Sequence, residues 1–125
     1  MTTVLVVEDE PLIAMALEAA LEDENYRVLT AANGKQGLER LSEEQADVVL
    51  LDMMMPVMSG PVMLSAMAAH PNLRGIPVVI LSSLPEATIR AKTDGVAAIL
   101  QKPYTAKEVL RAITQVLSKT SKAES

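Results

Sequence analysis

The 125-residue chain has no cysteine, phenylalanine or tryptophan, only two tyrosines and a single histidine. Without cysteine there can be no disulfide and no thiolate metal site, which suits a reducing compartment. Without large aromatic rings the core must be aliphatic, with eight methionines as adaptable filler. Basic charge is short as well. Eleven Lys and Arg face 16 Asp and Glu, a formal net charge of −5, so no basic face is expected for direct nucleic-acid binding. No apolar stretch approaches the ~20 residues that span a bilayer, and no membrane association is expected. The opening Met1-Thr2-Thr3-Val4 lacks the basic region and long apolar segment of a secretory signal. The expectation is a cytoplasmic chain with one folded domain, which at this size buries about 70% of its unfolded surface.

What the chain does have is four short apolar runs that each end in chemistry. Val4-Leu5-Val6-Val7 stops at Glu8-Asp9, and Val48-Val49-Leu50-Leu51 stops at Asp52. Val78-Val79-Ile80-Leu81 stops at Ser82-Ser83, and Ala97-Ala98-Ile99-Leu100 is followed one residue later by Lys102-Pro103. Uninterrupted aliphatic runs of this length read as strands buried on both faces, the habit of parallel sheets. A further short strand is predicted over Tyr26 to Ala31.

Helical periodicity fills the gaps: Leu12, Ile13, Leu17 and Leu21 after Pro11; Gly37, Leu38 and Leu41 after Asn33-Gly34; Met63, Leu64 and Met67 after Pro61. Ser83 with Glu86, and Thr105 with Glu108, read as capping boxes for two more helices. Asp94-Gly95 reads as a turn, and Gly60 and Gly95 as turn glycines. Alternating strand and helix over about 120 residues predicts an α/β fold, a doubly wound five-stranded parallel sheet of the flavodoxin-like (βα)5 kind, strand order 2-1-3-4-5. The domain should occupy residues 1–118, with a polar, frayed tail over 119–125.

Ligands of such sheets bind beyond the carboxyl ends of the strands, where the winding reverses. In this order the first and third strands are neighbours there, so Glu8-Asp9 faces Asp52. With the strands side by side, Ser82 and Lys102 gather at the same sheet edge. Three carboxylates, a hydroxyl and an ammonium are a set that handles a phosphoryl group and a hard cation.

Taken together, Glu8-Asp9-Glu10-Pro11, Asp52-Met53-Met54-Met55-Pro56 with Met58-Ser59-Gly60, Ser82-Ser83, and Gln101-Lys102-Pro103-Tyr104 resemble the receiver domain of two-component response regulators. The resemblance extends from residue 3 to about residue 117. It implies a phosphorylation-controlled signalling switch rather than a turnover enzyme. Asp52 would accept a phosphoryl group from a phosphohistidine on a sensor histidine kinase or a histidine phosphotransfer protein. Mg²⁺ would be held by Asp9 directly, by Glu8 through water, by Asp52 and by the backbone carbonyl of Met54, in keeping with the ion's taste for oxygen ligands. Lys102 would balance phosphoryl charge and Ser82 would donate its hydroxyl to a phosphoryl oxygen. Output would pass to a downstream protein by contact.

One departure is Ile99, three positions before the lysine, where the family commonly has an aromatic residue. The usual inward swing of that ring should be muted, and coupling should run through the Ser82 to Ile89 backbone. A second expectation concerns lifetime. Met54 and Leu84, each two residues beyond a site residue, are apolar and cannot orient an attacking water, so self-dephosphorylation should be slow.

Other readings are weaker. A flavin carrier needs a Gly/Ser/Thr-rich phosphate loop after the first strand, where this chain has Glu8-Asp9-Glu10. An Asp-nucleophile phosphatase usually has a second Asp where Met54 stands. A receiver-like adaptor that signals without phosphate is the serious alternative, and the intact set of Glu8, Asp9, Asp52, Ser82 and Lys102 argues against it. Asp47 reads as a strand-start residue, His70 as a helix-end cation, and the methionine run as core filler rather than a copper site.

Overall fold

The computed structural model describes residues 1–93 and 95–124, with side chains through Lys119. Five strands alternate with five helices: β1 (Thr3–Val7), α1 (Pro11–Asp23), β2 (Arg27–Ala31), α2 (Gly34–Glu43), β3 (Val48–Asp52), α3 (Gly60–Ala69), β4 (Val78–Ser82), α4 (Glu86–Lys92), β5 (Ala98–Gln101) and α5 (Ala106–Glu124). All strand pairs are parallel, and the order is β2-β1-β3-β4-β5, as expected.

The sheet has helices on both faces because every central strand is apolar at odd and even positions alike. Leu5, Val7, Val49, Leu51 and Ile80 feed one buried cluster with Met63 and Met67 of α3 and Leu41 of α2. Their immediate neighbours Val4, Val6, Val48, Leu50, Val79 and Leu81 feed a second, with Leu17 and Leu21 of α1 and Val109, Ile113 and Val116 of α5. Each fully buried Leu or Ile contributes roughly 1.5–3 kcal/mol, so the two clusters dominate the stability of the domain. No helix among the described residues is long and apolar enough to cross a membrane.

Local signals set several helix ends. Asn33 caps α2 by accepting from the Gln36 N–H at 2.9 Å, and Gln36 Oε1 accepts in return from the Ala32 N–H at 2.9 Å. Thr105 and Glu108 form the expected capping box, with the Glu108 N–H donating to Thr105 Oγ1 and the Thr105 N–H donating to Glu108 Oε1. The other expected box fails. Ser83 does not cap α4, which begins at Glu86 behind Pro85. Proline disfavours helical geometry in the residue before it, so Leu84 cannot join the first turn.

Asp47 sits one residue before β3 and ties it to β1: its Oδ2 accepts from the Thr3 N–H at 2.8 Å, while its own N–H donates to the Thr3 carbonyl at 2.8 Å. Tyr26 stays outside β2. Helix α5 continues through Glu124, across residues that the sequence reading assigns to a polar tail from 119, because no Pro or Gly interrupts it. Of the expected Asp94-Gly95 turn, Asp94 lies outside the described residues and Gly95 has φ 71°. Ser125 also lies outside them.

Candidate functional site

Parallel pairing carries the strand ends to one edge of the sheet. Val7 is in register with Leu51, Asp52 with Leu81, and Ser82 with Gln101, so the residues that follow or close each run meet at one crevice. The carboxylates of Glu8, Asp9 and Asp52 have ligand atoms within 4.8 Å of one another. Glu8 and Asp52 are buried, at 2% and 4% exposure, and Asp9 is the more open. Lys102 approaches from β5, its Nζ 3.5 Å from Asp52 Oδ2. Ser82 is buried at the end of β4, and its Oγ accepts from the Leu84 N–H at 3.0 Å. Glu8, Asp9, Asp52 and Lys102 are therefore clustered side chain to side chain, and Ser82 lies at the same edge of the sheet, its carbonyl accepting from the Lys102 N–H at 2.7 Å. The backbone of Met54 joins them, its N–H donating to Asp52 Oδ1 at 3.3 Å.

The electrostatics are those of a site short of positive charge. Burial first, and then Asp52 nearby, push the Glu8 carboxyl up to about 7. Burial also raises Asp52 above its ordinary value, while Lys102 and the Met54 N–H pull it back. Glu8 Oε1 accepts from the Glu10 N–H at 3.2 Å, but Glu8 Oε2 is buried without a protein hydrogen-bond partner. An orphaned buried carboxylate oxygen, beside two more carboxylates, is a donor set that fits a hard divalent cation.

The backbone around Asp52 is held from several sides. The Met53 N–H donates to the Leu81 carbonyl at 3.1 Å, and the Gly60 N–H donates to the Met53 carbonyl at 3.1 Å. Gly60 is not the turn glycine that the sequence suggests. It is the first residue of α3, and a Cβ there would stand 2.8 Å from the Asp52 carbonyl oxygen and 3.0 Å from Met53 Cα. Its role is close approach, which lets α3 start against the end of β3.

Two further features escaped the sequence reading. Tyr104, quoted there without a role, is half-buried beside the acidic cluster, and burial together with Glu8, Asp52 and Glu10 pushes its hydroxyl up to about 12. It lines a cavity of about 420 Å³ between α1 and the β5–α5 connection. The available signal was modest: one of only two tyrosines, directly after Lys102-Pro103. Val57, in the β3–α3 loop, has φ 69°, and the Met58 N–H donates across it to the Pro56 carbonyl at 2.8 Å. A three-residue turn with a β-branched residue at its left-handed centre is a strained arrangement that side-chain type alone does not forecast.

A match to the response regulator receiver domain covers residues 4–114 of this chain. The chain belongs to that family. Among curated relatives, Protein PilH of Pseudomonas aeruginosa is 32% identical over 120 residues, covering 94% of this chain and 99% of PilH. Others are longer: the chain spans 12% of a sensor histidine kinase of Ectopseudomonas mendocina at 31% identity, and 50% of a probable transcriptional regulatory protein of Mycobacterium tuberculosis at 33%. The receiver fold is equally plain in solved structures. The chemotaxis protein CheY4 of Vibrio cholerae superposes with a TM-score of 0.88 at 27% identity, covering 93% of this chain and 98% of CheY4. The receiver domain of the Pseudomonas aeruginosa sensor histidine kinase PA1611, solved with a magnesium ion in its active-site cleft, gives 0.85 at 27% identity over 94% of this chain and 98% of that one. Receiver domains of two-component systems are phosphorylation-controlled signalling switches, and that is the function class of this chain.

Proposed function

We propose that Asp52 is the phosphoacceptor of this receiver and that residues 1–118 form the switching unit. The observation that carries the reading is the placement of Asp52 between opposite charges: Lys102 Nζ at 3.5 Å on one side, Glu8 and Asp9 on the other. A sensor histidine kinase or a histidine phosphotransfer protein would present a phosphohistidine. An Asp52 carboxylate oxygen attacks phosphorus as the bond to the imidazole nitrogen breaks, and the imidazole leaves with the electron pair and takes up a proton. Little covalent assistance is needed, since transfer of this kind depends on positioning and charge neutralisation.

Lys102 neutralises one flank of the phosphoryl group, and the Ser82 hydroxyl donates to one of its oxygens. Asp9, Glu8, Asp52 and the Met54 carbonyl would hold Mg²⁺, whose chemistry when bound is to offset the negative charge shared by the carboxylates and the phosphoryl oxygens. Apolar Met54 and Leu84 offer an attacking water no acceptor, so the phosphoryl group should be long-lived. The signal would pass to a downstream protein by contact, in the cytoplasm, without direct nucleic-acid or membrane binding and without small-molecule turnover.

Acetyl phosphate and Mg²⁺ followed by intact-mass spectrometry test this directly. One phosphoryl group should be added to the wild type and none to Asp52→Asn. A wild type that gains nothing would instead favour an adaptor that signals without phosphate.

A further inference from the structure

We propose that Met54 is an oxidation site, through which a peroxide shortens the life of the phosphoryl group on Asp52. The inference rests on Asp52 being the phosphoacceptor. Of the eight methionines, Met53, Met63 and Met67 lie inside the fold at 3% exposure or less, and Met55 and Met58 are half-buried against the core. Met54 is 65% exposed, Met15 62% and Met1 88%. Met54 alone of these three is hydrogen-bonded to the site, because its N–H donates to Asp52 Oδ1 at 3.3 Å. The Met54 backbone is thereby held against the reacting carboxylate, and its exposed thioether is carried on a side chain with three rotatable bonds. Pro56 and Val57, two and three residues further on, are exposed as well.

The chemistry is a balanced two-electron step. A sulfur lone pair attacks one oxygen of hydrogen peroxide, the S–O bond forms as the O–O bond breaks, and water leaves. The thioether is oxidised to sulfoxide and the peroxide is reduced. The product differs from its parent in the property that matters here. A thioether sulfur is a weak acceptor, whereas the sulfoxide is polar and its oxygen accepts hydrogen bonds. Loss of phosphate requires a water in line with the Asp52–phosphorus bond, and orienting that water is how a side chain speeds such hydrolysis. Oxidation gives position 54 the acceptor that Met54 lacks, without any change of sequence. It is also reversible by sulfoxide reductases, so the device would link the duration of the signal to peroxide.

The test uses the full chain, treated with hydrogen peroxide and then phosphorylated with acetyl phosphate and Mg²⁺. Peptide mass spectrometry maps the added oxygen, and intact mass follows phosphate loss after the donor is removed. Decay should be about fivefold faster in the oxidised protein, the net worth of one hydrogen bond read as a rate. Methionine sulfoxide reductase should restore the slow decay. In Met54→Leu, the ratio of treated to untreated decay should be one even though Met15 still oxidises. The proposal fails if Met54 resists peroxide while Met15 reacts, or if Met54 is fully oxidised and decay does not change. Equal acceleration in Met54→Leu overturns it as well. A chain that takes no phosphoryl group before peroxide is added defeats the phosphoacceptor reading first, and this proposal with it.

Discussion

Gly60→Ala isolates how closely α3 must approach the end of β3. The added methyl carbon would lie 2.8 Å from the Asp52 carbonyl oxygen, 3.0 Å from Met53 Cα and 3.1 Å from the Met53 carbonyl oxygen. All three are main-chain atoms of a fully buried stretch, so no side chain can swing away. Helical Ala in place of Gly is worth a gain of about 0.5–1 kcal/mol. Overpacking a rigid site costs about 1–3 kcal/mol, and immovable backbone places this site at the upper end. The net expectation is a loss of about 2 kcal/mol, or a fall in Tm of about 7 °C for a domain of this size. Gly75→Ala is the control, because nothing lies within 4 Å of the Cβ there. That substitution should be neutral or stabilise by a few tenths of a kcal/mol, through the unfolded chain. Urea and thermal melts on both variants decide the matter. If Gly60→Ala melts with the wild type, close approach is not what requires glycine at the start of α3.

Three further outcomes follow from other parts of the molecule. With no divalent cation present, stability should fall by up to about 3 kcal/mol as pH rises from about 4.5 to about 7, because the unfolded Glu8 ionises first while the folded carboxyl is held near 7. Below that window both states are protonated and the penalty vanishes; Glu8→Gln should flatten the slope in urea melts, and an unchanged slope would contradict this cause. Asp47→Ala should cost about 1 kcal/mol by removing the acceptor of the Thr3 N–H, measured by urea denaturation. Beryllofluoride should shift the amide resonances of residues 82–89 and leave the half-buried Ile99 methyls in place; the opposite pattern in NMR spectra would show that Ile99 carries the coupling after all.

The strand order and the meeting of Glu8, Asp9, Asp52, Ser82 and Lys102 were legible because a polar residue after four aliphatic ones marks a strand end, and parallel winding brings such ends to one edge. The Thr105–Glu108 box was legible for a similar reason, since both partners lie within one helical turn. Ser83–Glu86 has the same spacing and fails because Pro85 intervenes, a local conflict that pattern alone overlooked. Gly60 was hidden differently. A glycine needed for space and a glycine needed for left-handed geometry look identical in sequence, and the strand backbone opposite decides between them. The positive φ of Val57 was hidden too, because nothing in a β-branched side chain announces it.

The two-sided core has a consequence for how β3 finds its place. When both faces of a strand are apolar, sliding it by one residue exchanges valines and leucines for one another, and hydrophobicity scarcely discriminates among alignments. Discrimination falls to the ends. Asp47 is fastened to Thr3 at one end of the run. At the other, a slip inward would drag the Asp52 carboxylate away from Lys102 into aliphatic surroundings, at the cost of an unpaired buried charge. The reactive carboxylate therefore doubles as an end-stop for the strand that bears it, and the register of the sheet and the placement of its chemistry are one decision.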